Sequence, residues 1–102
     1  GNAKNKVGNT ALHLATAHDN LDVVKRLVEQ GKAKINAENN KHETPLHKAY
    51  YHRCFNVVEY LVAAPSVDLN VKDQYGNTVL HLATAHGHLD VVEWLVESVK
   101  AN

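Results

Sequence analysis

A six-residue pattern recurs three times in this chain at a fixed interval of 34 residues. Starting at residues 10, 44 and 78, it reads Thr-Ala-Leu-His-Leu-Ala, Thr-Pro-Leu-His-Lys-Ala and Thr-Val-Leu-His-Leu-Ala. Further columns follow the same interval: His18, His52 and His86; Val23, Val57 and Val91; Leu27, Leu61 and Leu95. A period of about 20–50 residues predicts a stacked array of one supersecondary unit, because such units bury their apolar faces only against each other.

The third unit shows what local structure the pattern predicts. Residues 73–77 are turn-forming, and Thr78 stands directly before an apolar stretch, where a helix N-cap is expected. Gly87 is predicted to end this short helix in the left-handed conformation. Apolar residues then recur at three- and four-residue steps from Leu89 to Val99, which indicates a second helix. Each unit is therefore predicted to be a turn, a short helix, a loop, a longer helix and an extended return.

Composition is consistent with a single structured domain of 102 residues, 44% of them apolar. The net charge is zero, and by segment it runs from +2 in residues 1–7 through +1 in 8–41 and −1 in 42–75 to −2 in 76–102. This gradient is too gentle for a nucleic-acid footprint, so no nucleic acid is expected as a partner. No apolar run is long enough to predict a membrane span, and no signal-peptide pattern is present. With Cys54 as the single cysteine, we expect an intracellular location, cytoplasmic or nuclear.

The most regular unit combines several motifs that are typical of one family. Residues 73–83 read Asp-x-x-Gly-Asn-Thr-x-Leu-His-Leu-Ala, residues 87–92 read Gly-His-Leu-Asp-Val-Val, and residues 95–96 are Leu-Val. This string resembles the ankyrin repeat. The resemblance covers residues 8–41, 42–75 and 76–102 as three repeats of one domain, 1–102, with residues 1–7 as the tail of a preceding repeat.

The resemblance implies an all-α repeat solenoid, in which helix-loop-helix units stack with β-hairpin-like loops. It also implies that a protein partner binds along the concave face, formed by the inner side of helix one and the loop tips, and that the repeats are not catalytic. The middle repeat departs most from the pattern. His42 and Arg53 replace glycines found at the equivalent positions of other units, and we expect backbone strain there, above all at Arg53.

Eight histidines raise the possibility of a metal site, but their spacing argues against one. Equivalent positions on neighbouring packed helices lie about 8–10 Å apart, too far for shared zinc coordination. We predict no metal and no cofactor. The threonine–histidine columns are instead predicted to be structural, joining each N-cap to the neighbouring unit: Thr10, His13, Thr44, His47, Thr78 and His81. Cys54 and His52 are too close in sequence to match a Cys–His catalytic pair, and no enzyme activity is expected.

Candidate partner-binding residues occupy positions that the repeat framework leaves free, mainly in the middle unit and the turn after it. They are Lys41, Glu43, Tyr51, His52, Gln74, Tyr75, Asn77 and His86. Tyr51 and Tyr75 are the candidate anchors, because tyrosine combines an apolar ring with a polar tip. Alternatively, Tyr50 and Tyr51 fill space beside the unusual loop at Arg53. A second strip, Arg26, Tyr60 and Trp94, is predicted to cover the outer helical face.

Two classes of function stay open at this point. One is a protein-interaction module that binds a partner of unknown identity through the concave groove. The other is a regulatory or spacer segment of a larger multidomain protein, such as an enzyme, whose chemistry lies outside these residues. The chain is predicted to be a monomer or a weak end-to-end dimer, since a stack of this kind has apolar ends.

Overall fold

The computed structural model describes residues 2–101, which form six helices in three consecutive pairs. Their bounds are α1 Ala11–Ala17, α2 Leu21–Glu29, α3 Pro45–Tyr51, α4 Phe55–Val62, α5 Val79–His86 and α6 Leu89–Ala101. Each pair packs within itself and against the equivalent helices of the next pair. No strand occurs in this part of the chain. The predicted all-α repeat stack is therefore confirmed. The predicted domain runs from residue 1 to residue 102, and these two terminal residues lie outside the described part of the chain.

The first helix of every pair begins at the predicted threonine. In the first unit, the Thr10 hydroxyl accepts the backbone N–H of His13 at 3.3 Å, and the Thr10 backbone N–H donates to His13 Nδ1 at 3.0 Å. Thr44 and Thr78 make the same reciprocal pair with His47 and His81. This is a capping box in which histidine takes the place usually held by Glu or Gln. It satisfies two backbone groups that a helix start leaves unpaired.

Left-handed residues occur at the predicted positions Gly87, His42 and Arg53, and also at Lys32, which has φ of 54° and was not predicted. Gly87 ends α5 with φ of 69°, and the equivalent loop residues Asp19 and Arg53 have φ of 56° and 58°. His42 has φ of 59° at a position where Gly8 has 82°. The loops of the middle unit are thus held in a conformation that costs a non-glycine residue about 1–2 kcal/mol.

Loops between the units project as hairpin-like turns. Asp73 donates its backbone N–H to the Asn77 carbonyl at 2.9 Å, which closes one loop on itself. Adjacent loops are also joined, since the Gln74 N–H donates to the Lys41 carbonyl at 3.0 Å. The same bond links Asn40 to Val7 at 3.1 Å. These contacts hold consecutive loop tips in a row along one edge of the stack.

The core lies between the helix pairs and is densest around α4. Val57, Val58, Leu61 and Val62 are all buried, because α4 packs against both α2 and α6. By contrast, Val24 is the buried residue of α2. Within residues 2–101, no helix has both the length and the apolar character needed to cross a bilayer.

Candidate functional site

The threonine–histidine columns connect neighbouring units. The far ring nitrogen of His13 lies 2.8 Å from the Glu43 carbonyl, and that of His47 lies 3.0 Å from the Asn77 carbonyl. Because Nδ1 already accepts a backbone N–H at the cap, Nε2 carries the proton and donates to the carbonyl. Both rings are buried. Burial is the main reason that the pKa of His13 is lowered, and it outweighs the opposing effect of the Glu43 carbonyl. These histidines therefore fix the position of the loop that follows them.

Loop tips bring three of the predicted binding residues together. The backbone bond from Gln74 to Lys41 places the tips of the second and third units side by side. Tyr75 is the next residue in this turn, and 76% of the residue is exposed. Lys41 and Gln74 are exposed as well. The tip is thus a polar surface with one large aromatic ring, and the Tyr75 hydroxyl has no partner among residues 2–101.

Tyr51, the other predicted anchor, is tied to the same turn. Its hydroxyl donates to the carboxylate of Asp73, which is buried and also accepts the backbone N–H groups of Tyr75 and Asn77 at 3.0 Å each. Burial and this hydrogen bond raise the pKa of Tyr51. Although burial alone would raise the pKa of Asp73, the bonds from Tyr51, Asn77 and Tyr75 lower it overall. Tyr51 therefore braces the third turn, and what it presents to solvent is part of its ring, at 39% exposure.

Glu43 and Asn77 are half-buried and already partnered. The Glu43 carboxylate accepts the Asn39 side-chain amide at 2.8 Å and lies 3.7 Å from Lys48 Nζ. Asn77 contributes its carbonyl to His47. Both residues shape the loop from within, whereas Lys41 is exposed and forms no ion pair with the residues that the structure describes.

The two predicted histidines have different surroundings. His52 is the exposed C-cap of α3, whereas His86 ends α5 with Nδ1 at 3.1 Å from the Tyr50 hydroxyl. Tyr50 is buried, donates to the Leu82 carbonyl at 3.3 Å, and also meets His88. The alternative in which Tyr50 and Tyr51 fill space beside the loop at Arg53 stays a prediction, and the hydrogen-bond contacts of Tyr50 are with the third unit.

This Tyr50 cluster did not appear among the predicted sites. The sequence signal for it is a column in which Tyr50 stands where the other units have Thr16 and Thr84. The Tyr50 and His86 rings stack with centroids 6.1 Å apart, and Phe55 meets His88 edge-on at 5.3 Å. The cluster packs the middle unit against the third.

Cys54 and the carboxylates offer little chemistry. Cys54 is buried in front of α4, and burial raises the pKa of its thiol, which is opposite to what activates a nucleophile. Between residues 2 and 101, no group of three or more histidine, cysteine, aspartate or glutamate side chains is placed to hold a metal ion.

Comparison with known sequences agrees with this geometry. A family model described as "Ankyrin repeats (3 copies)" matches residues 1–73, and one described as "Ankyrin repeat" matches residues 75–102. A search of curated proteins found no significant match. Ankyrin repeats are generally protein-interaction modules without catalytic activity of their own. The repeat interval, the three capped helix pairs and the matches along the chain together show that this protein belongs to the ankyrin repeat family.

Proposed function

We propose that this chain is a non-catalytic module that binds a protein partner through its concave face. That face consists of the inner side of the first helix of each unit together with the loop tips. The observation that carries the proposal is the tip formed by Lys41, Gln74 and Tyr75, where an exposed ring lies beside exposed polar groups. An intracellular location, cytoplasmic or nuclear, is part of the proposal and rests on the single cysteine of the sequence.

The predicted partner-binding residues fall into two groups, according to whether their polar groups already have hydrogen-bond partners within the fold. Tyr51, Glu43, Asn77 and His86 each have partners within the fold and support the surface from below. A second group offers unoccupied polar or aromatic groups to a partner: Lys41, His52, Gln74 and Tyr75. Tyr75 is the anchor of this proposal, because aromatic residues of this type dominate binding energies at interfaces.

A selection of random peptides displayed against the folded chain tests the proposal. The affinity of an enriched peptide is then measured for the wild type and for Tyr75→Ala, which removes an exposed ring and should not disturb the core. We expect binding to weaken at least about tenfold, or about 1.4 kcal/mol.

Two further variants locate the surface. Trp94→Ala, in the strip predicted to cover the outer helical face, is the aromatic control. Because Trp94 is half-buried against the core, circular dichroism first checks that this variant is folded, and it should then bind the peptide as the wild type does. Tyr51→Phe keeps the ring but removes the bond to Asp73. It should weaken binding through the third turn and lower stability by about 0.5–1.5 kcal/mol, the usual contribution of one hydrogen bond. If Trp94→Ala abolishes binding while Tyr75→Ala does not, the partner binds the outer face and the proposal is wrong.

A further inference from the structure

Two grooves lie between consecutive second helices, one between α2 and α4 and the other between α4 and α6. The α2–α4 groove has a volume of about 390 Å³ and the α4–α6 groove a volume of about 420 Å³. An aromatic residue lines each of them, and Tyr60 in the first is the equivalent of Trp94 in the second. The two grooves can therefore be compared as two copies of one surface.

In the α2–α4 groove, the fold itself places a cation at the aromatic ring. Lys25 Nζ lies 5.8 Å from the centre of the Tyr60 ring, within the range of a cation–π interaction. Burial raises the pKa of Tyr60, and the carboxylate of Glu29 in the wall of the same groove raises it further. This groove thus combines a ring, a carboxylate and a cation of the chain.

In the α4–α6 groove, the position of the cation carries the opposite charge. Glu59 and Trp94, which both line this groove, are the equivalents of Lys25 and Tyr60. Glu97 also lines it. Neither carboxylate forms an ion pair with the described residues, and no described lysine or arginine lines the groove. The Trp94 ring therefore shares its groove with two carboxylates and, in this part of the chain, with no cation.

The groove is open although a unit lies on each side of α4. Glu59 is exposed in the middle unit, and so is Ala63, which occupies the column of Glu97. Trp94 is half-buried, as its equivalent Tyr60 is in the middle unit. Residues in these columns thus stay accessible where another unit follows them in the stack.

Contacts within the fold hold the groove in shape. Val62 is buried, and its carbonyl accepts the Ser98 hydroxyl at 2.9 Å, which joins the end of α4 to α6. Pro65, in the loop after α4, lines the same groove and restricts the backbone there. A preformed surface of this kind loses little conformational entropy when a partner binds.

The chemistry of the groove is complementary to a cationic side chain. Tryptophan is the aromatic residue that attracts an ammonium or guanidinium group most strongly, and neighbouring carboxylates add to the attraction. An anionic side chain would instead be repelled by Glu59 and Glu97.

We propose that the α4–α6 groove binds a lysine or arginine side chain from a basic segment of a protein partner, held at the Trp94 ring with Glu59 and Glu97 as its counter-ions. The cation of the partner takes the place that Lys25 has at Tyr60. None of these residues belongs to the tip formed by Lys41, Gln74 and Tyr75, so the groove is a second contact surface beside the concave face.

Fluorescence of Trp94 reports on the groove directly, because Trp94 is the only tryptophan of the chain. The probe is a synthetic peptide of alternating arginine and glycine with blocked ends, titrated at low ionic strength. We expect a saturable change in Trp94 emission, and the binding should weaken as salt is added because the contact is between charges. A matched peptide with glutamine in place of arginine should leave the emission unchanged.

The decisive variant is Glu59→Lys, which supplies a cation of the chain at Trp94 as Lys25 does at Tyr60. It should weaken binding of the arginine peptide at least about fivefold, since one attraction is lost and a repulsion is added. The matched control is Glu93→Lys, which makes the same charge change at an exposed position of α6 outside the groove. This control should bind within about twofold of the wild type, because solvent and salt screen an exposed charge outside the groove.

Other outcomes would overturn the proposal. Circular dichroism checks that each variant is folded, and Glu97→Lys replaces Glu59→Lys if the latter is not. The groove is not a cation site if the arginine peptide leaves Trp94 emission unchanged, if the glutamine peptide acts equally, or if the folded groove variant binds undiminished. Equal weakening by Glu59→Lys and Glu93→Lys would show a response to overall charge alone. Loss of binding in Tyr75→Ala but not in Glu59→Lys would place the peptide on the concave face, which contradicts this inference and leaves the proposed function intact.

Discussion

At the scale of single residues, the third position of each first helix shows how one side chain can serve two units. The Nδ1 atom of His13 completes the cap of its own helix, and Nε2 reaches the carbonyl of Glu43 in the next unit. Imidazole suits this position because its two nitrogens point in different directions and one can accept while the other donates. The threonine–histidine motif predicted this role for His13 and His47.

Replacing the capping-box histidine by alanine should destabilise the fold more in a unit where the ring bonds both its own helix cap and the next unit. His47→Ala leaves buried backbone groups unpaired at its own cap and in the next loop, so we expect a loss of about 1–3 kcal/mol in the free energy of unfolding. His81→Ala, which loses the cap bonds alone, should cost less. Urea unfolding of the two variants measures the difference. Equal losses would contradict the bridging role of His47.

Acid should destabilise the fold through His13. Burial lowers the pKa of His13 in the folded state, so folding favours the neutral ring. This contribution is fully present above the unfolded-state pKa of about 6.5 and is lost as the pH falls through the lower folded-state value. The free energy of unfolding should therefore decrease between about pH 7 and pH 5, before carboxylates titrate. In His13→Asn the decrease should be smaller, while the exposed control His18→Asn should behave as the wild type.

At the scale of elements, the loops between paired helices are where the middle unit differs from its neighbours. Helix starts are uniform because threonine caps all three first helices. The loop residue after the first helix is not uniform: Asp19, Arg53 and Gly87 all adopt positive φ, although glycine alone does so without steric cost. The sequence predicted both the position and the sign of this strain, since the three units can be aligned on each other.

Exchange of residues at this loop should shift stability in opposite directions. Arg53→Gly relieves the left-handed strain, but it also raises the conformational entropy of the unfolded chain. We therefore expect the free energy of unfolding to increase by up to about 1 kcal/mol. Gly87→Ala should decrease the free energy of unfolding by about the same amount. A Cβ at this position meets no atom within 4 Å, so the decrease comes only from the positive φ of the backbone. The midpoints of urea unfolding compare the two. A destabilised Arg53→Gly would show that the arginine side chain stabilises the loop by more than its strain costs.

At the scale of the whole molecule, the position of a unit in the stack decides how deeply its residues are buried. Leu27, Leu61 and Leu95 occupy one column, yet Leu27 is half-buried while the other two are buried. Among residues 2–101, the middle unit packs against a neighbour on each side, and the first and third units pack against one. Stability is therefore concentrated around α4.

The same substitution in two units should show this dependence. Leu61→Ala opens a cavity between packed helices and should cost about 2–5 kcal/mol, the usual range for a buried leucine. Leu27→Ala removes the same atoms from a partly exposed position and should cost clearly less. Thermal or urea unfolding followed by circular dichroism measures both. Similar costs would contradict the view that stacking on two sides makes the middle unit the core of the protein.

The sequence by itself determined the features that repeat. The 34-residue interval specified the stack, because identical units pack on each other. The threonine columns specified the helix starts, and the glycines of one unit located the left-handed positions of His42 and Arg53 in another, because caps and turns depend on residues close together in the chain. Tertiary structure decided which members of a column are covered and which side chains meet between units. The bond from Tyr51 to Asp73 and the packing of Tyr50 on His86 join residues 22 and 36 positions apart. Periodicity assigns such residues to columns, but only the packed stack shows that Tyr51 braces a turn while Tyr75 stays free, since a side chain's partners depend on the distance between units in space.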